Sequence, residues 1–311
     1  MRRFVPGAVV VAVAALIAVL PFLMSDFRSL QGAYVGAYFC AILGLNILTG
    51  YTGQISLGHG AFMAIGGYTT AILAARHGWP YEATLPVAGL IAGAAGVVVG
   101  IPALRLSGVY LALGTFALAV SVPSIAKKYS SLTGGTGGIV LPFLPGQRLY
   151  AVAWTCAAVL FVIAWLVLRG RVGRAFRAIR DSEVAAISSG VSLPVYKTLA
   201  FGISAAFAGV AGGVYALAAN FANPDTFQVT LSLYILIGAV VGGLGSLWGV
   251  VVGALFVEVL PIWAQTAPVI GSKQAPAVIY GLVLIAIMFL LPTGFAGLLG
   301  RVAGRMRRQT S

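Results

Sequence analysis

Apolar residues run down this chain in long unbroken blocks rather than in alternation. The blocks cover about residues 5–24, 32–48, 61–75, 83–103, 109–125, 150–168, 199–219, 231–241, 248–259 and 275–291. Most are long enough to cross a hydrocarbon core of roughly 30 Å as a helix. A transmembrane barrel would show shorter segments of alternating polarity. The expected fold class is all-α and polytopic, with about ten transmembrane helices in a range of eight to ten. The eighth block is short, and only residues 242–246 separate it from the ninth, so a tilted or broken helix is expected there. The first block follows Arg2 and Arg3. It is longer than the usual apolar core of a signal peptide and lacks a small-x-small cleavage site, so it reads as a retained span.

The main polar interruption is RGRVGRAFRAIRDSEVAAISSGVSLPVYK, residues 169–197, with five arginines, Lys197 and two of the six acids. Arg174, Arg177 and Arg180 recur every three residues, and Phe176, Ile179 and Ile187 supply an apolar counter-face. Arginines at a helix end complement the negative pole of its dipole. Asp181, Ser182 and Glu183 suit the start of a second short helix. Gly190 suits its end, and Pro194 the first turn of the next span. One or two short helices lying across a membrane surface are expected. Such a loop could touch only lipid or dock a partner. Two further polar stretches are 49–60, which has neither acid nor lysine, and 127–148, centred on SSLTGGTGG. The latter is too rich in Gly, Ser and Thr to form a core and belongs at the surface.

Composition agrees: 60% of residues are hydrophobic, only 8% are charged, and the net charge is +13. In a soluble protein that charge would suggest nucleic acid. Here it fits loops that orient the chain and meet anionic lipid. With ten spans and a cytoplasmic N-terminus, thirteen basic residues fall inside and six outside. The positive-inside rule favours that orientation. It puts both termini, the 169–197 loop and the basic tail 292–311 in the cytoplasm, with 49–60 on the inner side or dipping in. The whole of 1–311 reads as one transmembrane domain. Cys40 and Cys156 fall inside apolar runs, so no disulfide is expected. Gly89, Gly93, Gly96 and Gly100 share one helical face, as do Gly238, Gly242, Gly245, Gly249 and Gly253. Small residues at this spacing let helix backbones approach closely. Packing is the expected role, with a place beside a translocation path as the second reading.

Candidate chemistry is thin. The chain has no GxxxxGK[ST] phosphate loop and no GxSxG nucleophile context. No His, Cys or acid cluster has metal-ligand spacing. No catalytic residue, cofactor or metal is expected, so the chain does not read as an enzyme. His59 suits a residue that fixes a turn by hydrogen bonding; a substrate contact or proton carrier is the alternative. Glu258 is the acid set well inside an apolar block. It either snorkels to the interface or faces a pore. An ion-coupled carrier usually needs more than one such group, so an external energy source is favoured.

Three blocks then carry a family resemblance. Glu183-x-Ala185-Ala186-x-x-x-Gly190 with Leu193-Pro194 resembles the EAA-type cytoplasmic loop of ABC importer permeases. RAFRAIRD before it and YKTLAF after it make it similar to the branched-chain amino-acid permeases. LGLNILTGYTGQISLGHGAF, from Leu43, resembles the M-type subunit more than its H-type partner, and Gly242-Gly243-Leu244-Gly245-Ser246 is a third family block. The resemblance spans about residues 40–292.

It implies an ATP-driven importer for leucine, isoleucine and valine. This chain would pair with a second permease subunit. Two cytosolic ATPase subunits would supply energy and an extracytoplasmic binding protein would deliver substrate. It also implies that Glu183, Ala185, Ala186 and Gly190 couple the spans to the ATPase, small side chains allowing close docking. A zwitterionic substrate needs polar groups without net charge, and Asn46, Thr49, Thr52, Gln54 and Ser56 could supply them. Close relatives import urea, short amides or other amino acids. An ion-coupled carrier and a membrane subunit that moves nothing are the rival classes.

Overall fold

The computed structural model describes residues 25–266 and short helical pieces between 281 and 297. The expected first span, most of the tenth and the arginines of the tail lie outside the described residues. We number the longer helices in chain order. α1 is Asp26–Leu45, and it runs on through a wide π-helical turn, Asn46–Tyr51. α2 is His59–Ala71, α3 Tyr81–Ala103, α4 Val109–Lys128 and α5 Gly146–Arg169. Two short helices follow, α6 Arg171–Asp181 and α7 Glu183–Ser188. α8 is Leu193–Ala219, α9 Val229–Gly242 and α10 Gly249–Thr266.

Among the described residues six helices are long and apolar enough to span a membrane, and Gly249–Trp263 is a shorter apolar helix. Every expected span from the second to the ninth has its helix. α8 starts six residues before the expected 199, because Pro194 fits the first turn, where its missing N–H costs nothing.

The bundle has a centre and a rim. The best spanning windows of α1 and α8 are 89% and 78% buried, whereas those of α4 and α5 are 28% buried. α8 is the hub, packed on α1, α2 and α3. Its glycines make that possible. A Cβ on Gly212 would strike the Met63 carbonyl, and one on Gly66 would strike Gly209. Without a hydrophobic drive between helices in lipid, such backbone contact supplies the attraction. Gly89, Gly93, Gly96 and Gly100 all face α8, and Gly238 and Gly242 face Gly253 and Gly249 across α9 and α10. Both glycine series pack helices except at Gly245, which leaves the expected helical face: it lies in the turn between α9 and α10 at φ +80°, against Arg180 and the Gly50 carbonyl. Cys40 and Cys156 are free thiols.

The helices alternate in direction, which sorts the loops to two ends. One end carries Asp26 beside Gly146, Arg76 bonded to the Ser131 carbonyl, and a two-residue ladder pairing Ile139 with Ala222. The 127–148 loop is ordered there. The opposite end carries Arg105, the five arginines of 169–180, and Lys197.

Candidate functional site

The end that carries α6 and α7 draws the three sequence blocks into contact. α6 turns Phe176 and Ile179 into the bundle, both essentially fully buried, and leaves its polar face out. Ile187 departs from the expected shared counter-face. It lies on α7 and is 57% exposed, because the chain turns at Ser182 and re-aims the second helix. Arg177 donates to the Leu168 carbonyl at 3.1 Å, and Arg180 donates to the Gly50 carbonyl at 2.6 Å. Neither guanidinium serves only to orient the chain.

Gly50 belongs to the π-helical turn after α1. Asn46, in the same turn, accepts from the Gly245 amide at 2.7 Å and donates to the Ser246 carbonyl at 2.9 Å. The side chain therefore acts as a clamp on the 243–246 loop. A Cβ on Gly50 would collide with the Asn46 amide oxygen and the Gly245 nitrogen. Only glycine permits this approach.

α7 is fixed at both ends. The Ser182 hydroxyl accepts from the Ala185 amide at 3.3 Å, the expected cap. Gly190 takes φ +79°, its amide bonds the Ile187 carbonyl, and the Val191 amide bonds the Ala186 carbonyl. That pair of bonds is a Schellman motif closed on a left-handed glycine. Glu183 pairs with Lys197 of α8 at 2.7 Å, with side chains 49% and 8% exposed. In the sequence Lys197 is legible only as another loop charge.

Of the expected docking residues, Ala186 is buried against its own subunit, while Ala185, Glu183 and Gly190 are at the surface. Val184 carries no mark in the sequence, yet it is 75% exposed beside Ile187. The two apolar side chains stand three residues apart on one face of α7. Ile187, Val191, Leu193 and Leu104 line an adjoining groove of about 440 Å³. Exposed apolar side chains on a charge-rich surface suit contact with lipid or with a partner.

The expected polar path residues occupy the interior. Asn46, Thr49, Thr52, Gln54 and Ser56 are all buried. Thr49 donates to the Gln54 carbonyl, Thr52 to the Leu48 carbonyl, Gln54 to the Thr52 hydroxyl, and Ser56 accepts from the Gly58 amide. His59 is the first residue of α2, fully buried, with Nε2 2.9 Å from the Ser204 hydroxyl, which also bonds the Gly44 carbonyl. It joins α1, α2 and α8. Glu258 lies half-buried on α10. No group of three metal-ligating side chains occurs among the described residues.

The sequence pattern described as the permease component of the branched-chain amino acid transport system matches residues 30–291. The chain belongs to this permease family. It is 36% identical over 282 residues to the high-affinity branched-chain amino acid transport system permease protein LivM of Escherichia coli, covering 80% of this chain and 66% of that protein. It thus spans about two thirds of the LivM length. Identity to the corresponding LivH permease of Escherichia coli is 26%, over 89% of this chain and 96% of that protein. The autoinducer 2 import system permease protein LsrC of Escherichia coli is 28% identical, over 66% of this chain and 63% of that protein. No solved structure matches the chain. Within the permease family the chain thus resembles the M-type more than the H-type protein, as its 43–62 block suggests.

Proposed function

We propose that this permease is the membrane subunit of an ATP-driven importer that moves leucine, isoleucine and valine across a bacterial inner membrane. In this reading it pairs with a second permease, and two ATPase subunits bind in the cytoplasm. An extracytoplasmic binding protein delivers substrate at the other end. The chain itself catalyses no reaction and holds no cofactor.

One observation carries the reading: α7, capped at both ends and braced on Lys197, presents Val184 and Ile187 outward at the arginine-rich end. The positive-inside rule favours the cytoplasm for that end. Glu183, Ala185, Ala186 and Gly190 shape this element, and its apolar tip seats in the ATPase. Force on α7 passes through Arg180 to Gly50 and through Asn46 to the 243–246 loop. The coupling thus reaches α1, α9 and α10. The buried polar cluster from Asn46 to Ser56 keeps the broken stretch after α1 in shape, forming the layer behind the path.

The LsrC similarity favours a second reading, import of another small polar solute, with specificity set by the binding protein. Proteoliposomes holding the complete complex test both. Uptake of labelled leucine should need ATP and fail with a catalytically dead ATPase. Uptake that survives the dead ATPase and collapses with the ion gradient overturns the importer. ATP-driven uptake of another solute but not leucine selects the second reading.

A further inference from the structure

Residues 53–58 are not helical, yet they reach the middle height of the bundle. Ser204, which holds His59, is the twelfth residue of α8, about 17 Å along it from Leu193. The Leu57 amide bonds the Thr115 hydroxyl at 2.9 Å, seven residues into α4. The stretch therefore climbs from the Arg180 end to mid-height as irregular chain, with Gly53 in the left-handed region at φ +74°. Its burial alternates with period two. Thr52, Gln54 and Ser56 point inward, Gly53 and Ile55 are exposed, Ile55 at 44%, and Tyr51 and Leu57 are half-exposed.

Part of this backbone lacks partners among the described residues, although the Gln54 amide and carbonyl and the Leu57 amide are paired. Among the described residues, no hydrogen bond is made by the amides of Ile55 and Ser56 or the carbonyls of Gly53 and Ile55. Irregular backbone at membrane depth does not face lipid; it is tolerated against protein or along a water-filled cavity. A neighbouring helix has spent its own backbone groups and pairs such a stretch only through a side chain, as Thr115 does for the Leu57 amide. Water and a zwitterion can pair the rest.

The surface continues upward. One turn beyond Thr115, a groove of about 260 Å³ opens between α4 and the start of α9, lined by Ala119, Ser124, Lys127, Asp225, Gln228 and Thr230. Gly60 lies against the Gln228 carbonyl, so the groove floor adjoins the top of the non-helical stretch. Lys127 and Asp225 pair at the mouth at 2.6 Å, both partly exposed.

We infer that the outer face of residues 53–57 is one wall of the substrate path, entered by this groove. This rests on the importer reading. The ligand class is an α-amino acid with an apolar side chain. Ile55 and Leu57 take the side chain, and the unpaired backbone groups take the ammonium and carboxylate.

The test uses the complete complex in proteoliposomes, with Cys40→Ala and Cys156→Ala. Single cysteines are placed at Ile55, Leu57 and, as the inward control, Ser56. The probe is a membrane-impermeant cationic methanethiosulfonate. Ile55→Cys and Leu57→Cys should react at least tenfold faster than Ser56→Cys, and leucine with the binding protein should slow them. Equal slow rates at all three sites, or reaction at Ile55→Cys only with a lipid-soluble maleimide, overturn the inference. Cysteine cross-linking of position 55 to the partner permease that persists through turnover does the same. Ile55→Trp gives an independent check: uptake should fall at least fivefold with ATP hydrolysis intact, while Ile55→Val stays near wild type. Unchanged uptake in Ile55→Trp counts against the path. ATP-driven uptake by the parent complex is measured in the same vesicles. Its absence condemns the importer reading, whereas uptake with an unreactive position 55 condemns the path alone.

Discussion

The Arg180 guanidinium donates to the Gly50 carbonyl across 2.6 Å, joining two segments 130 residues apart in the chain. Arg180 closes α6, the surface helix, and Gly50 lies in the π-helical turn that ends the central span. A hydrogen bond to a charged group contributes about 1.5–3 kcal/mol. Gly50 can offer its carbonyl because it lies in the last turn of its helix, where carbonyls have no intrahelical partner.

Arg180→Ala should therefore loosen α6 from the bundle. Loss of about 1–3 kcal/mol is expected, read as a lower melting temperature of the detergent-solubilised subunit. The ratio of substrate moved to ATP hydrolysed should fall as well. Arg180→Lys should recover part of both, since an ammonium can reach one acceptor but lacks the planar fork. A wild-type ratio in Arg180→Ala would remove this link from the coupling route.

Glu183 and Lys197 give a second stability test. Lys197 is nearly buried, so losing its partner leaves an uncompensated charge, while the exposure of Glu183 moderates the cost. Glu183→Gln should destabilise the subunit by roughly 1–3 kcal/mol. Adding Lys197→Met should restore part of that, and a double-mutant cycle by chemical denaturation measures the coupling. Additive effects would mean that the pair contributes nothing.

Gly190 has φ +79°, and a Cβ placed on it would meet nothing within 4 Å, so its requirement is conformational. Gly190→Val should strain the turn by about 1–2 kcal/mol and lower transport per ATP hydrolysed. Gly190→Asn, which tolerates the left-handed region, should remain close to wild type in vesicle uptake. Equal loss in both variants would shift the role from backbone geometry to space at the docking surface.

Much of this arrangement is legible in the sequence because it rests on local chemistry. Apolar blocks mark the spans, Ser182 and Gly190 mark the ends of α7, and Pro194 marks the start of α8. What is not legible depends on contacts between distant residues. Composition gives Arg180 as one of five loop arginines, and only the fold supplies Gly50. Thr52, Gln54 and Ser56 look like a polar path surface until the irregular backbone turns them inward onto their own chain. The signal is present as polar residues at every second position, matching the alternating burial of the stretch. Val184 is hidden for another reason: in an apolar sequence, one more exposed valine carries no mark, whereas Ile187 is marked but given to the buried face because the turn at Ser182 is not read.

The most direct measurement is the fate of the complex when the α7 face is made polar. Val184→Asp with Ile187→Asp changes two side chains that are already exposed, so the isolated subunit should insert and melt as wild type. The two ATPase subunits should no longer copurify with the permease pair, and ATP-driven leucine uptake in proteoliposomes should fall to background. Retained ATPase binding with wild-type uptake in this double variant would contradict docking through α7.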